Sequence, residues 1–131
     1  MEWEYNFVTG RNLLIVRASG KFSVASFEKM IIEIASDKRW SPGMDCLLDH
    51  SALDLSDTFN SDIKEATELH KRYDSRIGHG RIAVVFGGEE NFDKSLMYVT
   101  LLGSDVHATV NAFRTTDEAR QWLAEDNDDN S

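Results

Sequence analysis

The sequence predicts a single α/β domain on a mixed, mostly parallel sheet, a STAS-like layout with the element order β-β-α-β-α-β-α-β-α. Three observations predict it. Two strand-like runs flank the turn signal Thr9-Gly10-Arg11-Asn12, which reads as an antiparallel hairpin at the start of the chain. Short apolar runs then alternate with segments of helical period, as in parallel strands joined by right-handed crossovers. Finally, 131 residues with 41% hydrophobic and 28% charged side chains suit one core of ordinary size.

The elements follow in order. Trp3, Tyr5 and Phe7 share one parity while Glu2, Glu4 and Asn6 share the other, which predicts a half-buried strand. Leu13 onward, "LLIVRAS", is its partner. From Ser23 the period changes: Phe27, Met30, Ile31, Ile34 and Ala35 form a helical stripe with Ser23 as N-cap. Trp40-Ser41-Pro42-Gly43 ends that unit, and "MDCLL" predicts a short buried strand whose exit is Asp49 to Leu53. A second helix is expected from about Asp57 to Ser75, with Phe59, Ile63, Ala66, His70 and Tyr73 on one face and Ser56 as its cap.

"RIAVVF" is a continuous apolar run closed by Gly87-Gly88, as expected of a strand buried on both faces. A third helix, about Asn91 to Leu102, stops at Gly103. Its core face is predicted as Phe92, Leu96 and Val99, which leaves Met97, Tyr98, Leu101 and Leu102 in excess. A wider buried face, the lid of an apolar pocket, and a partner surface such as a symmetric dimer all accommodate that excess. "VHATVNAF" is the last strand, and Thr115 and Glu118 make a T-x-x-E capping box for a final helix carrying Ala119, Trp122 and Leu123. The domain is thus expected over residues 1–124, with residues 125–131 an acidic, disordered tail.

Charge and composition exclude several functions. The net charge is −9, and with the four tail acids set aside residues 1–124 carry about −5. An acidic body without a basic stripe argues against nucleic acid, while a basic protein partner fits it. One cysteine, Cys46, permits no internal disulfide, and its apolar neighbours predict a buried thiol. No apolar run approaches membrane-spanning length and no leader-like segment precedes the first strand, so the expected compartment is the cytoplasm.

No motif specifies catalysis, and no metal or other cofactor is expected. The four histidines show no metal-ligand spacing, and His70 is expected as a hydrogen-bonded core or edge residue. Asp49-His50-Ser51 resembles a hydrolytic triad only in composition. On an extended segment His50 faces away from both neighbours, whereas triads converge from separate parts of a fold. Gly87-Gly88 lacks the G-x-G-x-x-G pattern and a Walker lysine, and Glu89-Glu90 would repel a phosphate.

Taken together, the element order, the segments "LLIVRASGKFSVASFEKM", "CLLDHSALD" and "RIAVVFG", and the ending "VNAFRTTDEARQWL" resemble the SpoIIAA-like proteins, over about Asn12 to Ala124. That is the branch of the STAS fold (sulphate transporter and anti-sigma factor antagonist) often grouped with CRAL-TRIO lipid-transfer domains. The resemblance implies a small cytoplasmic bacterial α/β domain that acts by binding. In anti-sigma factor antagonists a serine after the third strand, within a D-S-S-G-like stretch, is phosphorylated by a partner kinase. Here the corresponding stretch is "LDLSDTF": Asp54 matches the aspartate, Leu55 stands at the phosphorylated position, Ser56 matches the next, and Asp57 replaces the glycine. Asp57 beside Ser56 would repel an added phosphate, so capping is the preferred role of Ser56.

Two functions follow as expectations. One is a regulatory protein-binding module whose interaction or switch surface comprises Asp49, His50, Ser51, Asp54, Ser56 and Asp57. The other is a carrier of a lipid or small apolar ligand at the carboxyl ends of the strands, beside Lys21, His50, Ser51 and Gly88. Its pocket under the third helix would use Phe22, Gly87, Leu96, Met97, Leu101 and Arg114.

Overall fold

The computed structural model describes residues 1–125. Along them run β1 (Glu2–Phe7), β2 (Leu13–Lys21), α1 (Val24–Ala35), β3 (Asp45–Asp54), α2 (Asn60–Arg72) and α3 (Asp74–Ile77). After these come β4 (Arg81–Phe86), α4 (Glu89–Leu102), β5 (Thr109–Phe113) and α5 (Thr116–Ala124). The expected acidic tail lies, apart from Glu125, outside the described residues. The strands form one sheet in sequential order; β1 is antiparallel to β2, and the other neighbouring pairs are parallel. This is the architecture read from the sequence.

Sequential strand order with crossovers of one hand puts every crossover helix on the same side. The larger core accordingly joins α1, α2 and α4 to one face of the sheet through Phe27, Met30, Ile63, Leu69, Tyr98 and Leu102. Trp3, Tyr5 and Phe7 pack against its edge. On the opposite face α5 covers Leu47, Ala83 and Val85 with Ala119 and Leu123. Leu13 and Ile15 of β2 join that core, while toward the start of β1 and the end of β2 the face is polar and exposed: Glu2, Glu4, Arg17 and Ser19. Among the described residues no helix is long and apolar enough to cross a membrane.

Helix ends follow the local chemistry. The Ser26 amide donates to Ser23 Oγ at 3.1 Å, and the Glu118 amide donates to Thr115 Oγ1 at 3.1 Å, so both predicted caps form. Arg81 closes the far end of α5, donating to Trp122 O at 2.7 Å and Leu123 O at 2.9 Å. Those carbonyls lack partners inside the helix, and a cation there also suits the helix dipole.

The last strand, expected from Val106, begins at Thr109, and three larger departures from the sequence reading bear on the site. First, β3 does not stop at Leu48 but runs to Asp54. Arg17 pairs with Asp49 and Ser19 with Ala52, so His50 and Ser51 together oppose Ala18. Such a bulge shifts the side-chain alternation by one residue. Cys46 and His50 face the larger core before it, and Leu53 and Leu55 face the same core after it. The change of parity made one long strand look like a short strand and a polar exit.

Second, α2 begins at Asn60, and the cap expected at Ser56 does not form. Ser56 sits in a turn where its amide donates to Asp54 Oδ1 at 2.9 Å. Phe59 holds the N-cap position in extended geometry, φ −100° and ψ 170°, and its amide donates to Asp62 Oδ2 at 2.8 Å. Phe59 therefore leaves the apolar stripe on which it was expected and is 70% exposed. The expected helix also breaks at Tyr73, which separates α2 from the single turn of α3.

Third, the core face of α4 is Phe92, Ser95, Tyr98 and Leu102, with Leu96 turned outward. Ser95 is fully buried, and its hydroxyl is satisfied there by donating to Phe92 O at 2.6 Å. Met97, Val99 and Leu101 pack as half-buried flanks, so the apolar excess of this helix is mostly a wide buried face.

Gly87 lies where the bulged backbone of β3 crosses the end of β4. A Cβ at this position would stand 2.6 Å from Ser51 O, too close for carbon and oxygen. Gly87→Ala should cost about 1–3 kcal/mol, the range for overpacking a tight site. Urea unfolding measures it, and an unchanged midpoint would contradict this close approach.

Candidate functional site

The carboxyl ends of β2, β3, β4 and β5 come together at one edge of the domain, where open α/β sheets usually place ligands. β3 and the turn after it supply most of this edge, and the bulge distributes their side chains. Asp49 and Ser51 lie on the outer face of the sheet, where Ser51 Oγ donates to Asp49 Oδ1 at 2.6 Å. They line a shallow groove with Glu2, Glu4 and Arg17. His50 points the other way, into the larger core, where its ring stacks on Phe86 with centroids 5.6 Å apart. The Asp49-His50-Ser51 trio therefore does not converge, because alternation separates the imidazole from both neighbours.

Asp54, Ser56 and Asp57 form a displayed turn. Hydrogen bonds from Ser56 hold the Asp54 carboxyl below its ordinary range. Asp57 pairs with Lys21 at the end of β2. Between them Leu55 is 2% exposed and packs in the core, while its carbonyl accepts from Lys94 Nζ at 2.8 Å. The six residues expected as one surface thus occupy three environments: the outer sheet face, the core, and the turn.

The pocket residues are dispersed as well. Phe22 lines a small interior cavity with Phe27, His50 and Leu55. Gly87 abuts the Ser51 backbone. Leu96 is 43% exposed, and Met97 and Leu101 flank the core. Arg114 donates through Nε to Glu89 Oε1 at 2.7 Å and lies over the Phe92 ring, 4.1 Å from its centroid. Lys21, Lys94 and Arg114, the cations at this edge, are each engaged with a carboxylate or carbonyl, which leaves the edge poorly suited to an anionic ligand. Among the described residues no group of three His, Cys, Asp or Glu side chains is placed to hold a metal ion.

Two features escaped the sequence reading. Phe59 became visible only once the helix start was known, because its spacing fits the apolar stripe of α2. The other is a polar cluster inside the larger core. His70 is 3% exposed, and its Nδ1 lies 3.0 Å from the Tyr98 hydroxyl. Its hydrogen-bonded core placement agrees with the sequence, but Tyr98 as partner had no sequence signal, since it comes from another helix.

Burial pushes both His50 and His70 down to about 4, only partly opposed by Asp49 and Asp74 respectively. The folded protein therefore holds both rings neutral at pH 7. Between pH 6.5 and about 4 the unfolded chain binds more protons than the folded one, so stability present above pH 6.5 is lost as pH falls. The loss amounts to roughly 3 kcal/mol per histidine. His50→Leu should lose less stability than wild type between pH 7 and about pH 4.5, as measured by urea unfolding at both. Equal losses in the two proteins would contradict a neutral, buried His50.

No protein-family profile matches the chain, and no curated protein matches it. A solved structure does: an uncharacterised protein of the DUF3478 family from Shewanella loihica PV-4, described as having a SpoIIAA-like fold. The two share 16% identity and superpose with a TM-score of 0.55 over 94% of this chain and 93% of that one. At that identity the likeness shows architecture and carries no activity across. The fold of this chain is SpoIIAA-like.

Proposed function

We propose that the chain is a non-enzymatic regulatory module of the cytoplasm that binds a basic protein surface through the turn from Asp54 to Phe59. One observation carries this reading: Phe59, a large aromatic, stands 70% exposed at the end of a turn whose other displayed side chains are Asp54, Ser56 and Asp57. An aromatic anchor within a charged rim is the usual arrangement of a binding hot spot. The body charge of about −5 favours a positively charged partner and speeds its approach. The SpoIIAA-like fold supports a binding role by analogy with the family that resembles it.

A phosphoserine switch fits this turn less well. Leu55 is locked in the core, and a phosphate on Ser56 would meet the Asp54 carboxylate that its amide already contacts, with Asp57 next along the chain. The turn works instead as a constitutive surface. A long-chain lipid is disfavoured as cargo, because the interior cavities measure about 70 and about 20 Å³. Pockets for drug-sized ligands occupy several hundred Å³.

The reading is tested by capturing partners from the native host with wild type, Phe59→Ala and Asp54→Lys, each first shown to keep its melting temperature. A partner held through this turn should bind the Phe59→Ala protein at least about tenfold more weakly, and the Asp54→Lys protein more weakly still in low salt. A partner that both variants retain at full affinity would remove the turn from consideration.

A further inference from the structure

The sheet ends in two edge strands, β1 and β5, and they are finished differently. β1 carries Glu2 and Glu4, and the loop after α1 reaches it from the side. Asp37 of that loop accepts from the Tyr5 hydroxyl at 3.2 Å, and the Arg39 guanidinium lies 4.6 Å from the centre of the Phe7 ring. Charges of this kind guard an edge against further pairing. β5 reads Thr-Val-Asn-Ala-Phe, without charge or proline, and it pairs with β4 in unbroken register. Its other side is unguarded.

The hydrogen-bonding sense of β5 is set by its first residue. The Thr109 amide donates to Gly80 O at 3.0 Å, so Thr109, Asn111 and Phe113 direct their backbone groups to β4. Val110 and Ala112 direct theirs outward, and no backbone group among the described residues bonds them there. A two-fold axis at Asn111 sets Val110 of one chain opposite Ala112 of a second. Those are the residues whose groups face outward, so each such pair exchanges two hydrogen bonds. Asn111 then meets its own copy at the closer, non-hydrogen-bonded spacing, where two carboxamides can bond each other. β5 is self-complementary in register, in hydrogen bonding and in charge.

The helix layer fits the same axis. Phe92, Leu96 and Val99 share one flank of α4 by helical spacing. That flank turns toward β5, since Phe92 borders a groove with Ala112 and Arg114. Lys94, on the other flank, reaches Leu55 O just ahead of α2. Leu96 is 43% exposed on the β5 side. α4 packs on both β4 and β5, so with strands about 4.8 Å apart its axis lies about 5 Å from the two-fold. Two such helices stand about 10 Å apart, within the spacing of packed helices. α5 packs mainly on β3 and β4 of the opposite face, clear of the axis.

We propose that the β5 edge is a homodimer interface. Antiparallel pairing of β5 with its copy about Asn111 joins two five-stranded sheets into one and brings the two α4 helices together above it. Leu96 and Val99 of each chain close against α4 of the other, which removes their apolar surface from water. A foreign extended peptide would satisfy the same backbone groups but supplies no helix to cover Leu96, so a second copy is the occupant. The edge lies apart from the Asp54–Phe59 turn, and the proposal stands independently of the protein-binding reading.

Sedimentation equilibrium from micromolar to near-millimolar protein tests this, together with NMR. Wild type should reach twice the chain mass, and exchange of the Val110 and Ala112 amides should slow as it does. In a mixture of isotope-labelled and unlabelled chains, through-space contacts should connect Val110 of one to Ala112 of the other. Asn111→Lys sets two like charges across the axis, and a two-fold interface counts each substitution twice. It should weaken association at least about tenfold. Asn111 is exposed in the single chain, so the variant should keep a dispersed spectrum. Leu96→Lys should also weaken association, whereas Ile32→Lys, at an equally exposed position on α1, should leave it unchanged. Three results would overturn the proposal: wild type at the chain mass throughout, a dimer that Asn111→Lys and Leu96→Lys both retain at full strength, or a dimer that Ile32→Lys dissolves.

Discussion

The extra residue that β3 inserts opposite Ala18 is the constraint on which the arrangement of this domain's candidate surfaces depends. Before the bulge, even-numbered residues of β3 face the three-helix core; after it, odd-numbered ones do. The strand can therefore bury His50 and, a few residues later, Leu53 and Leu55, without leaving the sheet. Asp49 and Ser51 are sent to the outer face, and the turn after Leu55 is anchored tightly enough to hold Asp54, Ser56 and Asp57 in solvent. Gly87 completes the device, because only a residue without a side chain lets β4 pass the bulged backbone.

This explains why the segment from Asp45 to Asp57 looks so chemically rich. Its acids and hydroxyls bond one another in two separate places, Ser51 to Asp49 on the outer sheet face and Ser56 to Asp54 in the turn, and its imidazole lies apart from both in the core. His50 is neutral and sealed against Phe86, while the displayed carboxylates belong to a different environment and pair with Lys21 or the Ser56 amide. The exposed ion pairs at this edge contribute little stability individually, since solvent screens them. They occupy the cations and leave an acidic turn with one aromatic at its end, the surface proposed for recognition.

Much of the fold was legible in the chain. The alternation of Trp3, Tyr5 and Phe7, the continuous run Ile82 to Phe86, and the caps at Ser23 and Thr115 are local patterns with local physical causes, and each sits as read. What was not legible depended on contacts between distant segments. The bulge is set by pairing with β2, the outward turn of Phe59 by where α2 starts, and the burial of Ser95 by its bond to Phe92 O on a helix pressed into the core. The interior pair of His70 and Tyr98 comes from two helices distant in the chain, so no spacing in the sequence announces it. The SpoIIAA-like fold alone carries no role across to this chain, and the proposed one rests on the displayed turn.

The central claim is that the bulge sorts β3 into a core-facing set and a displayed set, and cross-strand contacts in solution test it most directly. Through-space NMR contacts should pair Ser19 with Ala52 and Lys21 with Asp54, and should connect the His50 ring to Phe86 and the Leu55 methyls to the core around Ile63. Contacts that pair Ser19 with Ser51, with the Leu55 methyls free of the core, would contradict the account.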